Sequence, residues 1–324
     1  MNETANLPID IEEQRNWIID FRKGNALSWA EVAKRTGIPQ GTLSQFGSDR
    51  GYAGDEQKVA DKVYLYRQLL ASQAALDMEA PEVPGYFECE TSLHLVSMLR
   101  WAQGGRMGGR VVVAATGPGT CKSSSATHYA SSFPNVFYVL MAPSNAGVNN
   151  MQQEVAVALG LGEVVGTPQK LTRMICDRLR NLGNPLLIFD EAQHMSAASL
   201  EEIRGWHDRI GVGLALFGNI GVMQRLEGTS RKADFAQLFS RVGMRLIRML
   251  PLQADMDALA QAWNIHGPRE IAQIRKVASL PGGLRNATKM LELGAMMAAS
   301  ENAPLAADHM QDAWAQLSSR AVAA

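Results

Sequence analysis

Cysteine is scarce in this chain: Cys89, Cys121 and Cys176 are three among 324 residues, widely spaced and odd in number. Such a set argues against a disulfide framework or a zinc site, and for a reducing compartment. A basic excess is also missing. The formal net charge is −1, so no global field draws nucleic acid, and any such contact must come from local clusters. No apolar run reaches the ~18 residues that span a bilayer, and the first residues, MNETANLPIDIEE, lack a basic and apolar signal pattern. The expected location is the cytoplasm. Nothing repeats internally, and charged residues are few at 19%. What is present is apolar: 46% of the chain, enough for a real core. The length exceeds one small domain and points to two or three modules.

The strongest local signal is Val111 to Ser123, VVVAATGPGTCKS. A short β-branched run leads into a Gly/Pro turn, then Lys122 and Ser123. That order makes a phosphate-binding loop opening a helix, in which backbone N–H groups face phosphates, the Lys bridges them and the hydroxyl ligates Mg²⁺. The pattern G-x-x-x-x-G-K-[ST] wants glycine at 116 and 121, where this chain has Thr116 and Cys121. A Cβ at 121 would crowd the phosphates or restrict the backbone. The alternative is a plain turn between a strand and a helix.

Pro185-Leu-Leu-Ile-Phe-Asp190-Glu191 is the second signal, a buried strand with two acids at its carboxyl end. Open α/β sheets place their ligands there. Asp190 would hold Mg²⁺, and Glu191 would polarise the attacking water. Gly213 to Phe217 reads as a further strand ending in Gly218-Asn219. Asn219 would orient water against the γ-phosphate, or simply cap the following turn. Strands are also expected at Asn135 to Met141 and Met244 to Met249, with helices at Lys122 to Ser131, Asn149 to Leu161, Pro168 to Leu182 and Ser199 to Ile210. Phe235, Leu238 and Phe239 form an apolar helix face ending at Ser240-Arg241. Arg241 would suit an arginine finger inserted into a neighbouring subunit's site, against the alternative of a surface Arg in a basic patch.

Residues 11–76 read as helices. Ser28 to Glu31 fits a capping box. Ala33, Gly37, Ile38, Leu43 and Phe46 have the spacing of two short helices joined by a tight turn, which resembles a helix-turn-helix of the phage repressor type. In that reading Gln40, Thr42, Ser44 and Gln45 would meet base edges or phosphates. The alternative is a small helical bundle for protein contacts, and nine Lys/Arg against ten Asp/Glu in residues 1–70 do not favour DNA. Asp55 to Leu76 reads as one long helix, and Asp77 to Glu90 as an acidic Pro/Gly linker before a core helix from Thr91 to Gln103. From Pro251 onward the chain is helical, with Pro268 and Pro304 suited to the first position of a helix. Arg285, in the first turn of the helix opening at Gly283, would reach back to the γ-phosphate or face solvent.

Gly117-Pro118-Gly119-Thr120-Cys121-Lys122-Ser123, Asp190-Glu191-Ala192-Gln193-His194, Phe217-Gly218-Asn219, Leu238-Phe239-Ser240-Arg241 and Pro281-Gly282-Gly283-Leu284-Arg285 occur in this order. Together they resemble AAA+ ATPases, and among these the target-DNA activators of transposition, the B proteins of Mu-like phages. Over about residues 11–315 the resemblance implies an α/β fold: a P-loop NTPase core with a parallel sheet, a C-terminal α-helical lid and an N-terminal helix-turn-helix domain. The implied division is 1–76 for the N-terminal domain, 77–90 for the linker, 91–253 for the core and 254–324 for the lid. ATP and Mg²⁺ are the implied cofactors. Residues 117–123 with Ser124 and Asp190 would hold the nucleotide, Ser123 and Asp190 the metal, and Glu191, Asn219, Arg241 and Arg285 would serve hydrolysis. The implied activity is ATP-dependent assembly of a helical filament on double-stranded DNA, without sequence preference, that captures target sites and activates a cognate transposase. Such a protein is phage- or transposon-encoded and works in a bacterial cytoplasm. A helicase-loader role, or a DNA scaffold that nucleotide regulates or that hydrolyses none, is the alternative. Local charge adds Lys170, Arg173, Arg178 and Arg180 as DNA-contact candidates; Arg173 and Arg180 are seven apart and share a helix face.

Overall fold

The computed structural model describes residues 9–48, 51–79, 84–105, 108–227 and 240–318. The expected apolar face of Phe235, Leu238 and Phe239 lies outside these residues. The chain divides into two compact units, Met1–Pro81 and Glu82–Ala324.

The first unit contains α1 (Ile11–Gly24), α2 (Trp29–Thr36), α3 (Gln40–Phe46) and α4 (Glu56–Glu79). The capping box forms: the Ser28 hydroxyl accepts from the Glu31 N–H, and the Glu31 carboxylate accepts from the Ser28 N–H at 2.7 Å. Gly37 closes α2 in the left-handed region at φ 68°, so the chain turns at once into α3. Ile18, Val32, Ile38, Leu43, Phe46, Val59 and Val63 pack into this unit's own core. α4 runs three residues past the expected Leu76, taking the start of the acidic stretch into the helix.

The second unit opens with α5 (Glu90–Gln103), then β1 (Val111–Thr116), α6 (Lys122–Ser132), β2 (Val136–Leu140), α7 (Val148–Ala158), α8 (Pro168–Arg180), β3 (Leu186–Asp190), α9 (Ala197–Ile210), β4 (Gly213–Gly218), α10 (Ile220–Glu227) and β5 (Val242–Arg248). The strands form one sheet in the order β2-β3-β4-β1-β5, every pairing parallel. β1, β3 and β4 are buried on both faces, which is why they read as unbroken apolar runs. Alternation still assigns the faces. Val113, Phe189 and Leu216 meet α7, α8 and α9 through Val155, Ile175, Ile203 and Trp206. Val112, Ile188 and Phe217 meet α5 and α6 through Leu99 and Tyr129.

A C-terminal helical region follows: α11 (Gln253–Ala262), α12 (Pro268–Ala278), α13 (Gly283–Ser300) and α14 (Ala307–Ser318), with a core that includes Leu259, Ile274, Leu284, Leu291 and Met310. Pro268 stands at the first turn of α12 as expected. Pro304 does not open a helix: it lies in the connection, and α14 begins only at Ala307. α7 and α8 stop at Ala158 and Arg180, short of the expected Leu161 and Leu182, and Gly160 beyond α7 takes a left-handed φ of 74°.

Candidate nucleotide site

All strands being parallel, their carboxyl ends converge on one edge of the sheet, and the loops after β1, β3 and β4 meet there around a cavity of about 670 Å³. The cavity is lined by Thr116 through Ser124, by Glu191 and Asn219, and by Leu284, Arg285 and Thr288 of α13. Residues far apart in sequence are thus brought to one place.

The loop after β1 is tightly seated. The Gly117 N–H donates to the Arg248 carbonyl at the end of β5, and the Leu284 N–H donates to the Gly119 carbonyl, each at 2.9 Å. A Cβ on Gly117 would collide with the Met249 carbonyl, and one on Gly119 with the Gly282 carbonyl. Gly119 also has φ 73°, so both glycines are required by close backbone approach. Cys121 sits at φ 60°, ψ 10° immediately before α6. A cysteine has therefore taken the left-handed position that a glycine would fill, at a cost of about 1–2 kcal/mol. The loop conformation is kept, with the strain on the backbone that a Cβ at this position leads one to expect. The Cys121 side chain packs against the C-terminal helical core, as does Phe87.

The sulfur of Cys121 lies 3.4 Å from that of Cys89, the N-cap residue of α5. The Cys89 thiol donates to the Cys121 sulfur, and the Cys89 sulfur accepts from the Ser92 N–H at 3.4 Å. The Cys121 hydrogen bond, followed by that of Ser92, holds Cys89 below the ordinary thiol range. The same bond, aided by burial, pushes Cys121 far above it.

Lys122 extends from the first turn of α6 to both acids, with Nζ 2.7 Å from Glu191 Oε1 and 3.1 Å from Asp190 Oδ1. Asp190 is almost wholly buried, 1% exposed. Its carboxylate accepts from Ser123 Oγ at 2.6 Å, from Tyr138 Oη at 2.9 Å and from the Glu191 N–H at 2.8 Å. Burial and the neighbouring Asp190 charge push the Tyr138 phenol well above its usual range, so Tyr138 acts here as a donor. Glu191 is half-buried, which alone would raise its pKa. Hydrogen bonds from Lys122 and Gln193 outweigh the burial and hold the carboxyl below the usual range.

Gln193 had no assigned role in the sequence. Its Nε2 donates to Glu191 Oε2 while its Oε1 accepts from the Asn219 N–H at 3.2 Å, tying the acid to the tip of β4. Asn219 lines the cavity and also caps the next turn, accepting from the Gly221 N–H at 2.8 Å. Arg285 borders the cavity, exposed, in the first turn of α13. Arg241 is not at this chain's own pocket. Its guanidinium donates to both oxygens of Asp208 on α9, at 2.5 and 2.8 Å. Thr116 Oγ1 is buried at the head of the loop with no hydrogen-bond partner. An orphaned hydroxyl, two glycines that admit no Cβ, one lysine and hard oxygen donors at Ser123 and Asp190 fit a triphosphate with a divalent cation. Tyr138 belongs to no local pattern, and Thr116 and Gln193, though they stand within the motifs quoted above, carry no local sign of these roles.

Of the DNA-contact candidates, Lys170, Arg173, Arg178 and Arg180 are exposed along α8, with Arg180 paired to Asp177 at 2.7 Å. In the N-terminal unit Gln40, Ser44 and Gln45 of α3 are exposed, while Thr42 is half-buried. Among the described residues no helix is long and apolar enough to cross a membrane.

Two family models match the chain: an AAA domain over residues 106–226, and the C-terminal part of Mu B transposition protein over residues 240–317. The chain is 30% identical over 309 residues to ATP-dependent target DNA activator B of Escherichia phage Mu, spanning 95% of this chain and 96% of the relative. It is likewise 30% identical over 265 residues to the Mu-like prophage FluMu DNA transposition protein B of Haemophilus influenzae, spanning 81% and 90%. Among solved structures it is similar to the ORC2 protein of Aeropyrum pernix, with TM-score 0.56 at 15% identity over 72% of this chain and 68% of that one. Drosophila ORC bound to DNA gives TM-score 0.55 at 15% identity over 77% and 66%. At that identity these two likenesses bear on the fold alone.

Proposed function

Because the chain belongs to the Mu transposition protein B family, we propose that it is an ATP-dependent target DNA activator, assembling on duplex DNA to present target sites to a cognate transposase. Its core is an AAA ATPase domain. The observation that carries the reading is the convergence of Lys122, Ser123, Glu191, Asn219 and Arg285 on one cavity.

The residues divide the work by their geometry. Backbone N–H groups at the start of α6, with Lys122, meet the phosphates. Ser123 and Asp190 would hold Mg²⁺, which when bound neutralises charge on the phosphate oxygens. Lys122 now bonds to Glu191; a triphosphate competes for that ammonium and leaves Glu191 ionised to polarise the attacking water. Gln193 keeps Glu191 aligned with Asn219 throughout. Arg241 would act on the nucleotide of the next subunit in a helical filament. Assembly then depends on the γ-phosphate, and hydrolysis removes the bridge. DNA is held through phosphates, with the exposed cations of α8 and the polar face of α3 as its contacts.

DNA-stimulated ATP hydrolysis and electron microscopy with duplex DNA, with and without ATP, test this together. ATP-dependent filaments, and hydrolysis lost in Lys122→Ala, are expected. Equal slow hydrolysis by both forms, with DNA coated equally well without nucleotide, would leave a scaffold. Arg241→Ala is expected to bind ATP normally as a monomer and to assemble poorly; filaments of normal length would remove Arg241 from the proposed role.

A further inference from the structure

We propose that Cys89 and Cys121 form an oxidative modification site in the nucleotide pocket, closing reversibly to a disulfide that lowers affinity for the triphosphate. The inference rests on the nucleotide-binding reading of that pocket.

Three observations carry it. The two sulfurs lie 3.4 Å apart although the residues are 32 positions apart, and both thiols are free. Cys121 borders the cavity and immediately precedes Lys122, so a small oxidant entering the pocket reaches the pair. Cys89 belongs to a fixed element: it caps α5, whose first turn is bonded to the buried Asp255 through the Thr91 N–H at 2.8 Å. Cys176, the third cysteine, is buried in a different cluster, on the inner face of α8, and serves as an internal control.

The chemistry balances with a peroxide as oxidant. One sulfur attacks the peroxide O–O bond, giving a sulfenic acid and one water. The second thiol attacks the sulfenic sulfur, forming S–S and releasing a second water. Two electrons pass from the two thiols to one peroxide. The bond, at about 2.05 Å, draws the sulfurs together by about 1.4 Å. α5 is anchored and the loop is fastened at Gly117 and Gly119, so the displacement falls on the segment beyond Gly119, at Cys121, and shifts the N–H groups of Cys121, Lys122 and Ser123 at the start of α6. Losing one charge-assisted hydrogen bond corresponds to about a tenfold drop in affinity. By linkage, bound ATP disfavours the disulfide at equilibrium by the same factor that the disulfide weakens ATP.

The test uses the full chain, reduced, then oxidised with hydrogen peroxide, then re-reduced. Free thiols are blocked and disulfide-linked peptides mapped by mass spectrometry; a fluorescent ATP analogue is titrated in each state. A Cys89–Cys121 crosslink is expected, with nucleotide affinity down about tenfold and restored by reductant. Cys89→Ser, which preserves a good N-cap residue, is expected to bind nucleotide like reduced wild type and to lose all sensitivity to peroxide. Persistence of both thiols after peroxide would overturn the proposal, as would a mapped crosslink with unchanged affinity. Failure of the reduced wild type to bind nucleotide would instead overturn the reading of the pocket, and the gating with it, while the crosslink is mapped without nucleotide.

Discussion

Cys121 holds φ 60°, ψ 10°, a conformation that glycine adopts freely. Replacing it with glycine relieves about 1–2 kcal/mol of strain, while the looser unfolded chain takes back about 0.4–1 kcal/mol. Cys121→Gly is therefore expected to be between about 0 and 1.6 kcal/mol more stable than wild type, and to keep nucleotide binding. Cys121→Val puts a β-branched residue at a positive φ and is expected to lower both; urea unfolding and nucleotide titration read the two effects. Asp208 makes a pH prediction at the same scale. Hydrogen bonds from Arg241 come first among the causes that hold its carboxyl below the ordinary aspartate value. The folded form thus binds its proton at lower pH than the unfolded form. The pair's contribution is present above the unfolded pKa of about 3.9 and is lost as pH falls through the depressed folded value. A carboxyl NMR titration is expected to place the Asp208 midpoint below that of unpaired aspartates, and Arg241→Ala to move it upward.

Among elements, the junction of α5, β5 and α11 depends on one buried side chain. Asp255 accepts from the Thr91 N–H at 2.8 Å, the Thr91 hydroxyl at 2.5 Å and the Leu252 N–H at 2.8 Å, while Arg248 donates to the same hydroxyl at 2.7 Å. Asp255→Ala strands the buried Thr91 N–H and the half-buried Leu252 N–H, and is expected to cost about 3 kcal/mol in urea unfolding. A loss below about 1 kcal/mol would show that water replaces the carboxylate there. This junction was illegible in the sequence, because its partners are 164 positions apart and follow no periodicity. What could be read was local. Runs such as Leu186 to Asp190 announce a strand buried on both faces, and the Lys122-Ser123 and Asp190-Glu191 pairs announce chemistry at strand ends. Gln193 escaped because an amide bridging two strand tips leaves no mark on its neighbours. Pro304 misled because a proline suits the residues before a helix as well as its first turn.

At the level of the whole molecule, the core built around Leu43 and Phe46 lies entirely in the first unit, and the cores around β1 to β5 entirely in the second. Separate cores predict separate transitions on unfolding. Saturating ATP, at about 100 times its Kd, is expected to stabilise only the transition of Glu82–Ala324, by about 2.7 kcal/mol. Calorimetry with and without nucleotide checks this; an equal shift of both transitions would mean that the units melt as one. DNA affinity is expected to fall steeply with salt and to change little with base sequence, since phosphate contacts release counterions. A strong preference for one operator in a binding assay would mean that α3 reads bases.

The bond from the Leu284 N–H to the Gly119 carbonyl has a mechanical meaning. On its other side the same loop is fastened to the last residue of β5. The loop is therefore a short strap between the rigid sheet and the first turn of α13. Swinging the C-terminal helices means either unbuckling that strap or dragging it along. A ligand that shifts the cradle would therefore pull on those helices as a hand pulls on a lever.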